Sequence, residues 1–187
     1  MFELPPIEPT RKRKTPRYEM TSADTEAFRL LKRMSLKNII TTRPNLPYPE
    51  SFIHQYIPNT ANGLTKCIVD WINFDGGFAR RISVTGKMVD KTKVVTDVMG
   101  SRRIIGSVEY QKSSMVKGSA DITSTIEGRT VEIEIKINTD RQSQDQKEYQ
   151  QSIERAKGVY VIIKTLGGWQ EWYNKFKQSL TTQTQLF

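Results

Sequence analysis

Asp121, Glu134 and Lys136 are the residues whose types and spacing are best suited to chemistry. They sit in two alternating segments joined at Glu127-Gly128-Arg129. In the first, Ala120, Ile122, Ser124 and Ile126 alternate with Asp121, Thr123, Thr125 and Glu127. In the second, Val131, Ile133, Ile135 and Ile137 alternate with Glu132, Glu134, Lys136 and Asn138. Period two puts the aliphatic set on one strand face and the charged set on the other. If Glu127-Gly128 is the turn, Asp121 faces Glu134 directly. If Gly128-Arg129 is the turn, Asp121 faces Lys136 with Glu134 on the diagonal; a three-residue turn breaks this parity. Directly opposed Cβ atoms lie about 4.5–5.5 Å apart, close enough for two carboxylates to share one cation. Without a proton or a cation between them, they repel. An oxygen-only site with few carboxylates suits Mg²⁺ or Mn²⁺, which keep waters and engage phosphate oxygens. A lysine on that face can orient or deprotonate an attacking water, or offset phosphate charge. The competing reading takes Glu132, Glu134 and Lys136 as the solvated face of an amphipathic strand.

Composition narrows the rest. The 187 residues include one histidine, His54, and one cysteine, Cys67. Cys/His zinc sites and two-histidine mechanisms are therefore excluded, an internal disulfide is impossible, and a reducing compartment is expected. Cys67 reads as a small core residue. No apolar run is long enough to span a membrane, and Met1–Pro6 carries no signal-type apolar segment, so a cytoplasmic or nucleoid-associated protein is expected rather than a secreted one. Lys+Arg 29 against Asp+Glu 20 gives +9, unevenly placed. Residues 118–140 hold 2 basic and 5 acidic side chains, whereas 86–117 hold 7 and 3. A basic chain attracts phosphate backbones, and an acidic island inside it must be neutralised or hold a cation.

The elements that must position these residues can be read coarsely. Residues 1–21 form a basic arm around Arg11-Lys12-Arg13-Lys14-Thr15-Pro16-Arg17, either a solubilising tail or a nucleic-acid-grasping one. Residues 22–58 hold a helix over 22–40, capped by Ser22, and a proline-rich irregular stretch. Residues 59–187 form the main domain. Its helix over about 61–74 stops at Gly76-Gly77, and a strand covers 78–85. The basic, turn-rich insert of 86–117 reads as a hairpin or long loop. Strands at about 120–127 and 130–138, a helix at 142–157, a strand at 159–164 and a helix at 168–180 complete an α/β domain around a small mixed sheet.

Gly118-Ser119-Ala120-Asp121, then Gly128-Arg129, Glu134-Ile135-Lys136, Ser143-Gln144-Asp145-Gln146 and Gly158-Val159-Tyr160 follow one another in the chain. This ordered set resembles the Asp…Glu-X-Lys signature of the PD-(D/E)XK nuclease superfamily, and more closely its VRR-NUC (Holliday-junction-resolvase-like) group, over about residues 60–165. The resemblance implies a restriction-endonuclease-like core in α-β-β-β-α-β order with an inserted hairpin or loop. It implies that Asp121, Glu134 and the backbone carbonyl of Ile135 ligate Mg²⁺ or Mn²⁺. Lys136 would act on the water or the scissile phosphate, and Gln146 would reach the site from its helix. Ser143-X-X-Gln146 is equally a capping box. Ala120 replaces the family's usual proline. Asn62 stands where the first helix of the family often carries a glutamate, so a second metal is in doubt; Asn62 also reads as a helix cap.

Arg80, Arg81, Lys117 and Arg141 flank the acidic pair, and Lys87, Arg102 and Arg103 lie in the insert. Contacts of this kind position a duplex without reading its sequence; each is also ordinary surface charge when taken alone. The resulting expectation is a metal-dependent endonuclease acting on branched, junction or flap DNA. A weak or inactive nucleic-acid-binding protein that keeps the fold is the alternative, and an assembly protein is the third reading. Structure-selective nucleases often work as symmetric dimers, so a homodimer is an expectation of analogy alone.

Overall fold

A computed structural model describes residues 17–83, 86–96, 98–111 and 116–184. Most of the basic arm, and the last two residues of the 78–85 strand, lie outside the described residues.

The chain is a mixed α/β protein with a small sheet flanked by helices. Helix α1 (Ser22–Thr42) begins at Thr21, not Ser22. Thr21 and Asp24 make a reciprocal capping box, so the threonine one residue upstream outcompetes the expected serine. After a short 3₁₀ turn at Pro49–Phe52, α2 (Ala61–Phe74) starts at Thr60, whose side chain accepts the Gly63 N–H. The α2 cap is therefore Thr60 rather than Asn62. The helix ends as its glycines require: Gly76 takes φ 88°, and the Gly77 N–H reaches back to the Ile72 carbonyl at 2.9 Å.

Strand β1 (Phe78–Arg81) is followed by four short strands in the insert, β2 (Lys87–Asp90), β3 (Lys93–Thr96), β4 (Arg102–Ile105) and β5 (Val108–Gln111). β6 (Ile122–Ile126) and β7 (Arg129–Ile135) form the acidic hairpin, followed by α3 (Gln144–Arg155), β8 (Val159–Ile163) and α4 (Leu166–Thr184). The main sheet runs β1-β6-β7-β8, antiparallel except for the β7–β8 pair. β6 and β7 end earlier than the alternation predicts, because Asp121 and Lys136 already belong to the loops that cross the sheet's end.

One face of the sheet carries Ala79, Ile122, Ile126, Val131, Ile133, Ile135 and Ile163, all buried against Leu64, Ile68 and Ile72 of α2 and Leu166 and Trp169 of α4. Full burial of each such aliphatic contributes roughly 1.5–3 kcal/mol, so this face anchors the hairpin. α1 joins the same core through Ala27 and Leu31. Its buried Asp24 accepts the Gly167 N–H at 2.7 Å, fastening the start of α4 to the start of α1. Cys67 is buried in this core, as expected, and burial pushes its thiol up to about 12. The opposite face of the sheet is polar, and α3 borders it.

Candidate functional site

The β6–β7 turn decides the geometry. Glu127 and Gly128 have φ of 47° and 74°, so these two residues alone turn the chain, in the left-handed region that tight hairpins use. The register Ile122↔Ile133 and Thr123↔Glu132 follows. One step further along it, Asp121 stands opposite Glu134, the first of the two predicted pairings. The Asp121 Oδ2 accepts the Ile135 N–H at 3.0 Å, which seats its carboxylate at the Glu134-Ile135 peptide.

Burial overturns the solvated-face reading. Glu132, Glu134 and Lys136 are 5%, 1% and 8% exposed. Withdrawing such groups from water costs several kcal/mol per ion unless partners compensate. Lys136 Nζ lies 3.0 Å from Glu134 Oε1 and 3.5 Å from Asp140 Oδ2. Burial pulls the Lys136 ammonium down, but the hydrogen bond and charge of Glu134, with Asp140, hold it above the usual lysine range. Glu134 is pushed up, first by burial and then by the Asp121 charge, against the opposing effect of Lys136.

Gln146 fulfils both of its readings. Its side-chain oxygen accepts the Ser143 N–H at 2.9 Å, completing the α3 capping box, and its Nε2 donates to Glu134 Oε1. The cap fixes which end of the amide faces the carboxylate. Gly118, with φ 80°, lets α3 come this close: a Cβ there would lie 2.4 Å from the Asp145 carbonyl oxygen.

Asp121, Glu134, Ile135, Lys136 and Gln146 are thus brought together. Asn62 makes no hydrogen bond to any of them: its side-chain oxygen accepts from Arg81 Nη2 at 2.7 Å, at the end of β1. Arg80 pairs in register with Thr123, on the row that also holds Glu132 and Tyr160. Lys117 lies 3.0 Å from Asp145 at the start of α3, Arg141 is exposed just before that helix, and Lys87, Arg102 and Arg103 are exposed in the insert.

Sequence reasoning missed the second row of this face. Glu132 Oε1 accepts the Thr123 hydroxyl at 2.7 Å, and burial pushes the Glu132 carboxyl up. Tyr149 of α3 and Tyr160 of β8 meet edge to face above it, ring centroids 6.4 Å apart. Burial raises both phenols, with the Glu132 charge adding at Tyr149 and the Glu134 charge at Tyr160. Glu132 was visible in the alternation, but no pattern within α3 announces that Tyr149 turns inward.

Glu134 Oε2 is buried with no hydrogen-bond partner, so the protein leaves one oxygen of this carboxylate unsatisfied. A hard cation is the chemistry that such an oxygen accepts, and two carboxylates plus a carbonyl are a donor set Mg²⁺ uses with waters and phosphate completing its shell. Among the described residues, no group of three or more His, Cys, Asp or Glu side chains is placed to hold a metal ion. No family model, curated protein or solved structure matches the chain.

Proposed function

We propose that this protein is a divalent-metal-dependent endonuclease with a restriction-endonuclease-like core of the PD-(D/E)XK type, hydrolysing phosphodiester bonds in branched, junction or flap DNA. The observation that carries the reading is the buried, ion-paired Glu134–Lys136 couple directly across the hairpin from Asp121. A strand spends nothing of this kind on solubility, since a solvated face would leave all three charges in water.

Asp121, Glu134 and the Ile135 carbonyl would hold Mg²⁺ or Mn²⁺, which when bound supplies Lewis-acid activation of water and phosphate. Lys136, kept cationic by Glu134 and Asp140, orients the attacking water through its ammonium and offsets charge growing on the phosphoryl oxygens. Gln146 holds Glu134 in one rotamer through a helix-anchored amide. Arg80, Arg81, Lys117 and Arg141 supply cationic surface around the site for backbone phosphates, without reading bases.

Purified protein incubated with four-way junction, flap, linear duplex and single-stranded DNA in Mg²⁺ or Mn²⁺ tests this. Branched substrates are expected to be cut, with Asp121→Ala and Lys136→Met each losing on the order of 10²–10³-fold in rate. Cutting that survives Asp121→Ala overturns the assignment. One observation favours the alternative of a weak or inactive nucleic-acid binder: Asn62 is tied to Arg81 and brings no charge to the site. Tight, metal-independent binding with no cutting would select that reading.

A further inference from the structure

The described strands of the insert form a β-ribbon of two successive antiparallel ladders, β2–β5 and β3–β4. Its two ladders, Lys87↔Gln111 to Asp90↔Val108 and Lys93↔Ile105 to Thr96↔Arg102, share a single register, bridged by the Lys91 N–H to the Ser107 carbonyl at 3.2 Å. Every strand residue in it except Val89 is exposed. Parity then sorts the side chains. Met88, Val94, Ile104, Val108 and Tyr110 share one face with Asp90 and Arg102, while Lys87, Lys93 and Arg103 share the other with Val89, Val95 and Ile105, so both faces mix apolar and charged side chains. At the tip, Val98 and Met99 are 102% and 87% exposed, and Gly100 turns the chain with φ 81°. Arg102 and Arg103 stand in the first two rungs behind them.

We propose that this ribbon is a strand-separating pin: Val98 and Met99 insert between base pairs at a DNA branch while the cations behind them hold the flanking phosphates. The proposal rests on the nuclease reading and adds the origin of its branch selectivity. Charge selects the occupant. Of the three carboxylates in the insert, Glu109 pairs with Lys91 and Asp90 accepts from the Thr92 N–H and hydroxyl, so these two are engaged internally; Asp97 lies outside the described residues. No described carboxylate pairs with Lys87, Lys93, Arg102 or Arg103. The ribbon exposes nine large apolar side chains, Met88, Val94, Val95, Val98, Met99, Ile104, Ile105, Val108 and Tyr110, short of the roughly 20 residues a side that a stable protein interface uses. A two-stranded ribbon fits the major groove, and apolar wedges backed by cations are how proteins unstack base steps.

The chain passes beside the site just before it enters the insert. The Ile82 N–H donates to the Asp121 backbone carbonyl at 2.8 Å, at the point where the chain leaves β1 for the insert. The ten residues from Lys87 to Thr96, two four-residue strands and the two residues that join them, reach at most about 33 Å at ~3.3 Å each, close to one duplex turn. The cut is therefore expected within about 10 base pairs of the branch.

The test compares wild type with Val98→Ser/Met99→Ser, both exposed positions whose change leaves the core untouched. A four-way junction and a linear duplex each carry 2-aminopurine, at the branch point and mid-duplex respectively. With Ca²⁺, wild type should raise branch-point fluorescence severalfold and the variant should not. With Mg²⁺, the junction-over-duplex cleavage ratio should fall at least tenfold in the variant while the duplex rate stays within twofold. An unchanged ratio with active enzyme overturns the pin and leaves the nuclease reading standing. A fluorescence rise without any cleavage keeps the pin and overturns the nuclease reading. A dimer of the wild type that sediments as a monomer in the variant overturns the pin in favour of a second copy on the apolar tip.

Discussion

Glu132 separates the cost of this site from its use. Its carboxylate is buried, one oxygen is bonded to Thr123, and the other, Oε2, has no partner. Burial raises it above its ordinary 4.5 and outweighs the Thr123 hydrogen bond, the Arg80 charge and Tyr149. A carboxyl whose folded value lies above its unfolded one binds more protons in the folded state. Its contribution to stability is therefore full below about pH 4.5 and is lost as pH rises through the folded value. Glu134, raised by burial and by Asp121, adds in the same sense. Glu132→Gln removes the buried charge while its amide oxygen can still accept from Thr123. Its Tm at pH 7 should exceed the wild-type value by about 2–4 °C, and the gain should vanish near pH 4.5. Scanning calorimetry of both proteins from pH 4 to 8 measures this; a variant less stable at pH 7 would mean the Glu132 charge is compensated after all. Loss of cleavage in that more stable protein would place Glu132 in the working site rather than the scaffold.

The elements show what was legible and why. The acidic hairpin was readable because alternation and a turn at Gly128 are local signals; they put Asp121 and Glu134 on one face, while the choice between two registers waited for the Glu127-Gly128 turn seen in the structure. The helices α1 and α2 were readable to within two residues, apart from their caps, where Thr21 and Thr60 took the roles assigned to Ser22 and Asn62. The burial of Glu134 and Lys136 was not readable, because it depends on α3. That helix contains no buried residue and reads as a solvated one, yet Gln146 touches Glu134 and Tyr149 turns toward Glu132. A polar helix over a polar face has no hydrophobic period to reveal its docking. Gly118 is the point on which that docking turns. Gly118→Ala forces an L residue to φ 80°, costing about 1–2 kcal/mol, and drives its Cβ against the Asp145 carbonyl. Because the displaced element is α3 rather than the apolar core, cleavage should fall by at least tenfold while Tm drops only by about 3–8 °C. Equal retention of activity would show that α3 need not sit where Gly118 lets it sit.

Across the whole molecule, the +9 net charge divides into an acidic centre and a basic surround. Buried carboxylates within a positive field attract a cation locally, while the exposed cations attract a polyanion from farther away. The two functions can be separated experimentally, because counterion release counts only phosphate contacts. Each cation that neutralises a phosphate adds about 0.9 to the slope of log K against log salt on duplex DNA. Lys87, Arg102 and Arg103 are exposed along the ribbon, and none of them is paired with a described carboxylate. Replacing all three with alanine should lower that slope by about 3, on linear and branched DNA alike, whereas Arg141→Ala should lower it by about 1. Fluorescence anisotropy in Ca²⁺ between 50 and 200 mM salt gives the slopes without turnover. Weaker binding at an unchanged slope would show that the ribbon cations do not touch phosphates, and would move the polyanion contact to the surface around Arg80, Lys117 and Arg141.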